Sequence, residues 1–368
     1  MASDAAMTES AKMAPASPRP KEIPIANIYY LLCYAWDALE EKGALANVGN
    51  VNSNDLLDLF ARVLVTGSRR LLRRGLDRGY VSREDEILGV RGKLLVTPTL
   101  RRSLLRYGRA ACSWDELEYD TMPNRILKTT LLRLYGAEKI DVNIRADLHD
   151  VLRWLTPVTE IKLYTESFRR VQLHRNNRIY SFLLNICQFV HQNWLPTEHG
   201  NSHRFQDFFR NGLSSLFEKF IFNFYRHELP ADWHVRAPFI QWQKEDWNHD
   251  AVQFLPRMET DVCIKGPNRA IILDAKFYAQ ALRLNEHGSL KLSSANLYQL
   301  FTYLRQKSGE NGWENAEGIL LYPRTDRDFC ADFKTHGHRI RALTVDLFQP
   351  WDTIHRRLLN VIATRCAH

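Results

Sequence analysis

Residues 255–278, LPRMETDVCIKGPNRAIILDAKFY, constrain the fold of this chain more than any other stretch. Two apolar, β-forming runs, 258–264 and 270–276, flank Lys265-Gly266-Pro267-Asn268-Arg269, whose glycine, proline and asparagine break a strand and favour a turn. A β-hairpin with an aspartate on each arm is expected. Side chains alternate faces along a strand, so Asp274 and Lys276 project to one side while Leu273 and Ala275 project to the other. Asp274 directly follows Ile271-Ile272-Leu273, where a charge is costly without a partner or a metal. If the arms pair, Asp261 approaches Asp274, and two carboxylates held close repel unless a divalent cation lies between them. The pattern therefore asks for Mg²⁺, with Mn²⁺ able to substitute, on Asp261 and Asp274. Lys276 alongside would offset charge on a phosphodiester under attack, the equipment of a phosphodiesterase. A D-x-K tripeptide alone is common and usually marks a solvated strand edge. The apolar run before Asp274 and the second aspartate thirteen positions upstream raise it above that.

The rest of the chain sets the context. Its 368 residues, 45% hydrophobic and 11% aromatic, suffice for one large domain or two. A net charge of +8 suits a polyanionic partner without requiring one. Six cysteines, scattered with no CxxC pair, indicate neither a zinc ribbon nor a disulfide framework, and reduced thiols are expected. No apolar run approaches the ~20 residues that cross a bilayer, so a soluble protein of the cytoplasm is expected. Residues 1–22, rich in Ala, Ser and Pro, read as a disordered leader. There is no G-x-x-x-x-G-K-[ST] loop, so this chain should bind no nucleotide.

Periodicity predicts helices over 27–39, from Asn54 or Asp55 to Arg74, after Pro123, over 146–155 and over 176–194. Between them, 79–99 carries short β-like runs punctuated by Gly89, Gly92 and Pro98, a small sheet or projecting hairpin with Arg91 and Lys93 near its tip. A helix over 213–224 carries Glu218 on the shoulder of its apolar stripe, and a helix over 295–306 carries Gln299 and Tyr303, four apart and so on one face. Strands at 233–242, 318–323 and 340–347 and a closing helix at 351–363 complete an α/β core. The expected division is a leader (1–22), a mostly helical N-terminal partner-binding domain with its β element near 79–115 (23–203), and an α/β domain (204–368).

The pattern T-D, twelve residues, D-A-K resembles the PD-(D/E)xK nuclease superfamily, in which these positions bind metal and assist catalysis. The resemblance implies a restriction-endonuclease-like core with Asp261, Asp274 and Lys276 in those roles. It adds Glu218, since the preceding helix often carries such an acid. Gln299 becomes a candidate to bond a metal-bound water or a DNA phosphate, with Tyr303 beside it as a candidate DNA contact. Across the chain, I-P-x-x-N-I-Y-Y-x-L-x-Y-A-W from Ile23, E-x-D-T-x-x-N-R-I-x-K from Glu118, RFQDF, L-P-R-M-E-T-D from Leu255, D-A-K-x-Y and N-L-Y-Q-L together resemble the McrC family, the nuclease subunit of the McrBC modification-dependent restriction system. That implies a bacterial Mg²⁺-dependent endonuclease acting on double-stranded DNA with modified cytosine of the 5-methylcytosine type. It would work with a hexameric AAA+ GTPase that reads the base and whose GTP hydrolysis the N-terminal half stimulates. Arg91 and Lys93 become candidate partner contacts. A stand-alone PD-(D/E)xK nuclease of DNA repair and a non-catalytic activator of a AAA+ ring remain as alternatives.

Overall fold

The computed structural model describes residues 23–39, 56–171, 177–193, 203–243, 253–277, 282–284, 290–324 and 327–363. The helical half opens with α1 (Ile25–Ala35) and α2 (Leu56–Arg74); the N-cap expected at Asn54 or Asp55 lies outside the described residues, as does the 1–22 leader. Then come β1 (Gly79–Leu88), β2 (Lys93–Leu94), α3 (Val96–Arg101) and β3 (Arg109–Glu118), followed by α4 (Met122–Tyr135), α5 (Val142–Trp154), α6 (Thr165–Arg169) and α7 (Arg178–Asn193). Pro123 stands in the first turn of α4, where its missing N–H costs nothing, and Asp141 caps α5 by accepting from the Asn143 and Ile144 N–H groups.

The β element is larger than the short runs over 79–99 suggest. β1 is one uninterrupted strand, paired antiparallel over its whole length with β3, from Gly79↔Glu118 to Leu88↔Arg109, and β2 lies on the other side of β3. The charged middle of β1, Arg83 to Glu86, hides the strand from an apolar count; ion pairs such as Arg83–Glu118 connect the two strands instead. Gly92 has φ 67°, and a Cβ there would sit 2.5 Å from the Ser113 carbonyl, so the turn into β2 requires glycine.

The second half begins with α8 (His203–Glu228), β4 (His234–Arg236), β5 (Phe239–Ile240), β6 (Met258–Glu259), β7 (Val262–Gly266) and β8 (Arg269–Ala275). β9 (Leu282–Leu284), β10 (Leu290–Leu292), α9 (Ser294–Lys307), β11 (Glu317–Pro323), β12 (Cys330–Thr335), β13 (His338–Val345) and α10 (Trp351–Ala363) follow. Six strands form a mixed sheet in the order β12-β13-β11-β8-β7-β4, with β8, β11 and β13 parallel. Alternation divides the sheet as period two demands. Ile271, Leu273, Ala275, Leu321 and Val345 join a core that continues through α8, α10 and the helical half, while Ile272, Leu320, Tyr322 and Ala342 pack under α9.

Three expectations need correction. The run 258–264 is not one strand: β6 pairs with β5 in a separate ribbon, and the chain breaks at Thr260-Asp261, where the Thr260 hydroxyl donates to the Pro238 carbonyl at 2.9 Å. α1, assigned to the N-terminal domain, packs chiefly on α8 and also meets Trp351 at the start of α10. Tyr30 stacks on Trp351 with centroids 4.6 Å apart, Tyr34 meets Phe220 and Phe224, and buried Asn27 donates to the Leu347 and Gln349 carbonyls at 2.7 and 2.8 Å. A boundary at 203/204 therefore cuts through a shared core. Finally, Cys33, Cys112, Cys187 and Cys263 are buried free thiols, but Cys330 is disulfide-bonded.

Candidate functional site

β7 and β8 pair through Val262↔Leu273, so Asp261, one residue before β7, falls beside the C-terminal end of β8. Its Oδ2 accepts the Ala275 N–H at 2.8 Å, and the break after β6 is what frees this carboxylate to turn toward the neighbouring strand. Asp274 sits within β8 and is 1% exposed. Lys276 projects to the same face, as the alternation requires, with Nζ 3.0 Å from Asp274 Oδ1. The ammonium lies off the line that a hydrogen bond needs, and neither buried Asp274 oxygen has a hydrogen-bond donor.

A buried and a partly buried carboxylate facing each other across two strands are costly, and their titration reflects it. Burial raises Asp274 to about 7, helped by the charges of Asp261 and Glu218 and opposed by Lys276. Burial also raises Asp261, against the pull of Lys276 and the Ala275 N–H. Glu218 reaches the same field from α8. Half-buried, with Ser214 Oγ 3.4 Å from Oε1, its carboxyl is raised by burial and by Asp261. The expected acid on the preceding helix is thus an electrostatic neighbour of the pair.

α9 covers this face. Gln299 Nε2 donates to the Tyr303 hydroxyl at 2.7 Å, and that hydroxyl donates to the Glu259 carbonyl at 3.0 Å. Tyr303 is 5% exposed, so where a DNA contact was expected there is a buried brace on the segment that delivers Asp261. Arg91 and Lys93 are not brought to this site. They lie in the β element, Arg91 3.5 Å from Glu116 and over the Trp114 ring, and Lys93 exposed opposite Ser113. The Glu259 carbonyl and the Ala275 N–H, which fix the pair, are backbone groups that carry no signal in residue type.

The donor set fits a hard divalent cation. Two carboxylates converge, one with both oxygens lacking donors, and among the described residues no group of three or more His, Cys, Asp and Glu side chains closes a cage. Water and substrate oxygens would complete the coordination, the usual Mg²⁺ arrangement rather than that of structural zinc.

Comparison with known proteins supplies the lineage. Residues 17–323 match the family described as the McrBC 5-methylcytosine restriction system component. The chain is 36% identical over 341 residues to a protein of Escherichia coli (strain K12) described as the type IV methyl-directed restriction enzyme EcoKMcrBC, covering 92% of this chain and 97% of that one. It also resembles in fold a chain of the Thermococcus gammatolerans assembly of McrB AAA+ hexamers with bound McrC, with TM-score 0.54 and 21% identity over 92% of this chain and 76% of that one. On the length and identity of these matches, this chain belongs to the McrC family of McrBC restriction-system components.

Proposed function

We propose that this chain is the Mg²⁺-dependent, PD-(D/E)xK-type endonuclease subunit of a modification-dependent restriction complex, cutting double-stranded DNA with modified cytosine when assembled with a AAA+ GTPase ring. The observation that carries this reading is Asp274, a buried carboxylate without a hydrogen-bond donor, facing Asp261 and flanked by Lys276. Asp261 and Asp274 would hold the metal, which when bound supplies Lewis-acid polarisation and an activated water. Lys276, with Nζ 3.0 Å from Asp274 Oδ1, offsets the negative charge that grows on the phosphate oxygens. Glu218, with its raised affinity for a proton, orients the attacking water or takes its proton. Gln299 and Tyr303 hold the backbone before Asp261 in place.

The partner reading rests on the relatives, one described as a restriction enzyme and the other as AAA+ hexamers with bound McrC. It also rests on the β element, which presents large apolar side chains to solvent, with Arg91 and Lys93 among them. Without a phosphate-binding loop of its own, this chain would leave GTP hydrolysis to the ring and stimulate it through that element. The cytoplasm of a bacterium is the matching location; no helix among the described residues is long and apolar enough to cross a membrane. The deciding experiment is cleavage of methylated and unmethylated plasmid with and without ring partner, GTP and Mg²⁺. Cutting is expected only on methylated plasmid with all three present, and a folded Asp274→Ala protein that still cuts would refute the assignment.

A further inference from the structure

The parallel strands β8, β11 and β13 run out at one edge of the sheet, and ligands of open α/β sheets gather outside such carboxyl ends. Each strand is followed at once by a charged residue: Lys276 after β8, Arg324 after β11 and Asp346 after β13. The ladder continues past the strand ends, since the Lys276 N–H donates to the Leu321 carbonyl at 2.9 Å and the Arg324 N–H to the Val345 carbonyl at 2.7 Å. Alternation therefore persists. Leu321 and Val345 belong to the core on one face, whereas Leu320, Tyr322 and Ala342 belong to the other, the face of Asp274. Lys276, Arg324 and Asp346 follow in the same phase and share that face.

Arg324 and Asp346 are built as a unit. Arg324 Nη1 lies 2.9 Å from Asp346 Oδ2, with side chains 34% and 13% exposed. Asp346 is itself fixed, accepting the Phe348 N–H at 3.1 Å and Gln349 Nε2 at 2.8 Å. The ion pair engages one nitrogen of a planar fork that carries five N–H donors, and a half-exposed guanidinium held by a fixed carboxylate is a preorganised phosphate ligand. Strands about 4.8 Å apart with a rise of about 3.3 Å per residue place the Arg324 Cα on the order of 8 Å from that of Lys276. Phosphates recur every ~3.4 Å of helix axis along one DNA strand, so a cation at that separation meets the backbone within a step or two of a phosphate held at Lys276. The edge also needs one. Asp261, Asp274 and Glu218 offer the backbone no cation, and Lys276 is already engaged with Asp274.

We propose that Arg324 binds the DNA backbone phosphate beside the scissile one and that Asp346 is the positioning residue that aims it. This rests on the endonuclease reading above. The test uses the complex with its AAA+ partner and compares Arg324→Ala, Arg324→Lys and Asp346→Asn with the parent protein. Duplex binding, with Ca²⁺ replacing Mg²⁺ to hold cleavage off, is measured against salt, and single-turnover cleavage is measured with Mg²⁺.

Loss of one phosphate contact lowers the slope of log K against log salt by about 0.9, and loss of a charged hydrogen bond slows cleavage roughly 10- to 100-fold. Arg324→Lys should keep the slope and recover part of the rate, since a point charge replaces a fork. Asp346→Asn should keep the slope and slow cleavage less than Arg324→Ala. A duplex with a single neutral methylphosphonate, scanned along the strand, should have one position that weakens the parent protein and leaves Arg324→Ala unaffected. This scan and Arg324→Lys decide the matter if Arg324→Ala fails to fold. An unchanged salt slope, or no such position, would make the pair merely structural. If Asp274→Ala also cut normally, the endonuclease reading itself would fall, a separate outcome.

Discussion

The two sheets of this molecule are built on opposite terms. In the large sheet all seven residues of β11 are buried, and its neighbours β8 and β13 hide both faces almost throughout, while the edge strands β4 and β12 stay partly exposed. In the small sheet no residue of β1 is buried, and the interior consists of Ala110, Ala111, Cys112, Thr99 and Leu104. Leu88, Val90, Val96, Leu100, Leu105 and Tyr107 are each more than half exposed there. Three strands with so little core are marginal alone, and what secures them is polar. Asn124 donates to the Asp77 and Tyr119 carbonyls and accepts from the Tyr180 hydroxyl. Asp120 accepts a fork from Arg125 and two bonds from Thr159, which hold its carboxyl well below the usual range, the Arg125 bond foremost. The large sheet uses burial for stability and tolerates one expensive pair of carboxylates, the proposed catalytic centre. The small one leaves its apolar surface uncovered, which is the ground for proposing it as the face that meets a partner.

That contrast can be broken from either side. Asp274→Ala should reduce cleavage by roughly 10³-fold, the scale on which single electrostatic groups act in active sites, while stimulation of the partner's GTPase stays near that of the parent. Joint loss in a folded protein would mean that the two sheets are not separate devices. Leu100→Asp or Leu105→Asp should do the reverse and cut GTPase stimulation at least about tenfold, with a stability change near 0.5 kcal/mol as for ordinary exposed positions. Stimulation unaffected by both would place the docking face elsewhere.

The cost of the carboxylate pair should be visible without DNA. Asp274 has a folded-state value near 7, mainly through burial, against an ordinary 3.8. Its favourable contribution is therefore complete below about pH 4 and is lost as pH rises through about 7, where the buried group must ionise. At about 1.4 kcal/mol per unit the whole effect is at most on the order of 4 kcal/mol. Denaturant unfolding in EDTA should show stability falling from pH 5 to pH 8, and Mg²⁺ should recover more at pH 8 than at pH 5. Asp274→Asn should flatten both responses; a mutant that tracks the parent would put the expense somewhere else.

How much of this is legible in the sequence follows from the same contrast. The β7–β8 hairpin and the face shared by Asp274 and Lys276 can be read because apolar alternation and a Gly-Pro-Asn turn are local signals. β3 falls mostly inside the β element expected near 79–115 but is not singled out as a strand, because its apolar run, Ala110-Ala111-Cys112, is short and small and its partner β1 is charged through its middle. The break at Thr260-Asp261 escapes because Met258 to Ile264 alternates well enough for one strand. Only the separate pairing of Phe239 with Glu259 divides it. The side on which α1 lies is invisible for a third reason. An aromatic amphipathic helix announces that it is buried, but Tyr30 and Asn27 do not say that Trp351 and Leu347 are what they meet.

Tyr303 tests the finest part of the comparison, whether the precision of the large sheet reaches the carboxylate pair. Its hydroxyl joins Gln299 on α9 to the Glu259 carbonyl, two residues before Asp261. Tyr303→Phe keeps the ring and removes this link. Because Glu259 is exposed, water can replace the lost donor, and the stability cost should stay near 1 kcal/mol. Cleavage should fall by roughly fivefold, since one kcal/mol of misplacement is about that much in rate, and more Mg²⁺ should be needed for half-maximal activity. Duplex affinity in Ca²⁺ should not change, because a side chain this buried does not touch DNA. Weaker DNA binding at an unchanged Mg²⁺ requirement would return Tyr303 to the DNA interface, and the brace on Asp261 would have to come from the Ala275 N–H alone.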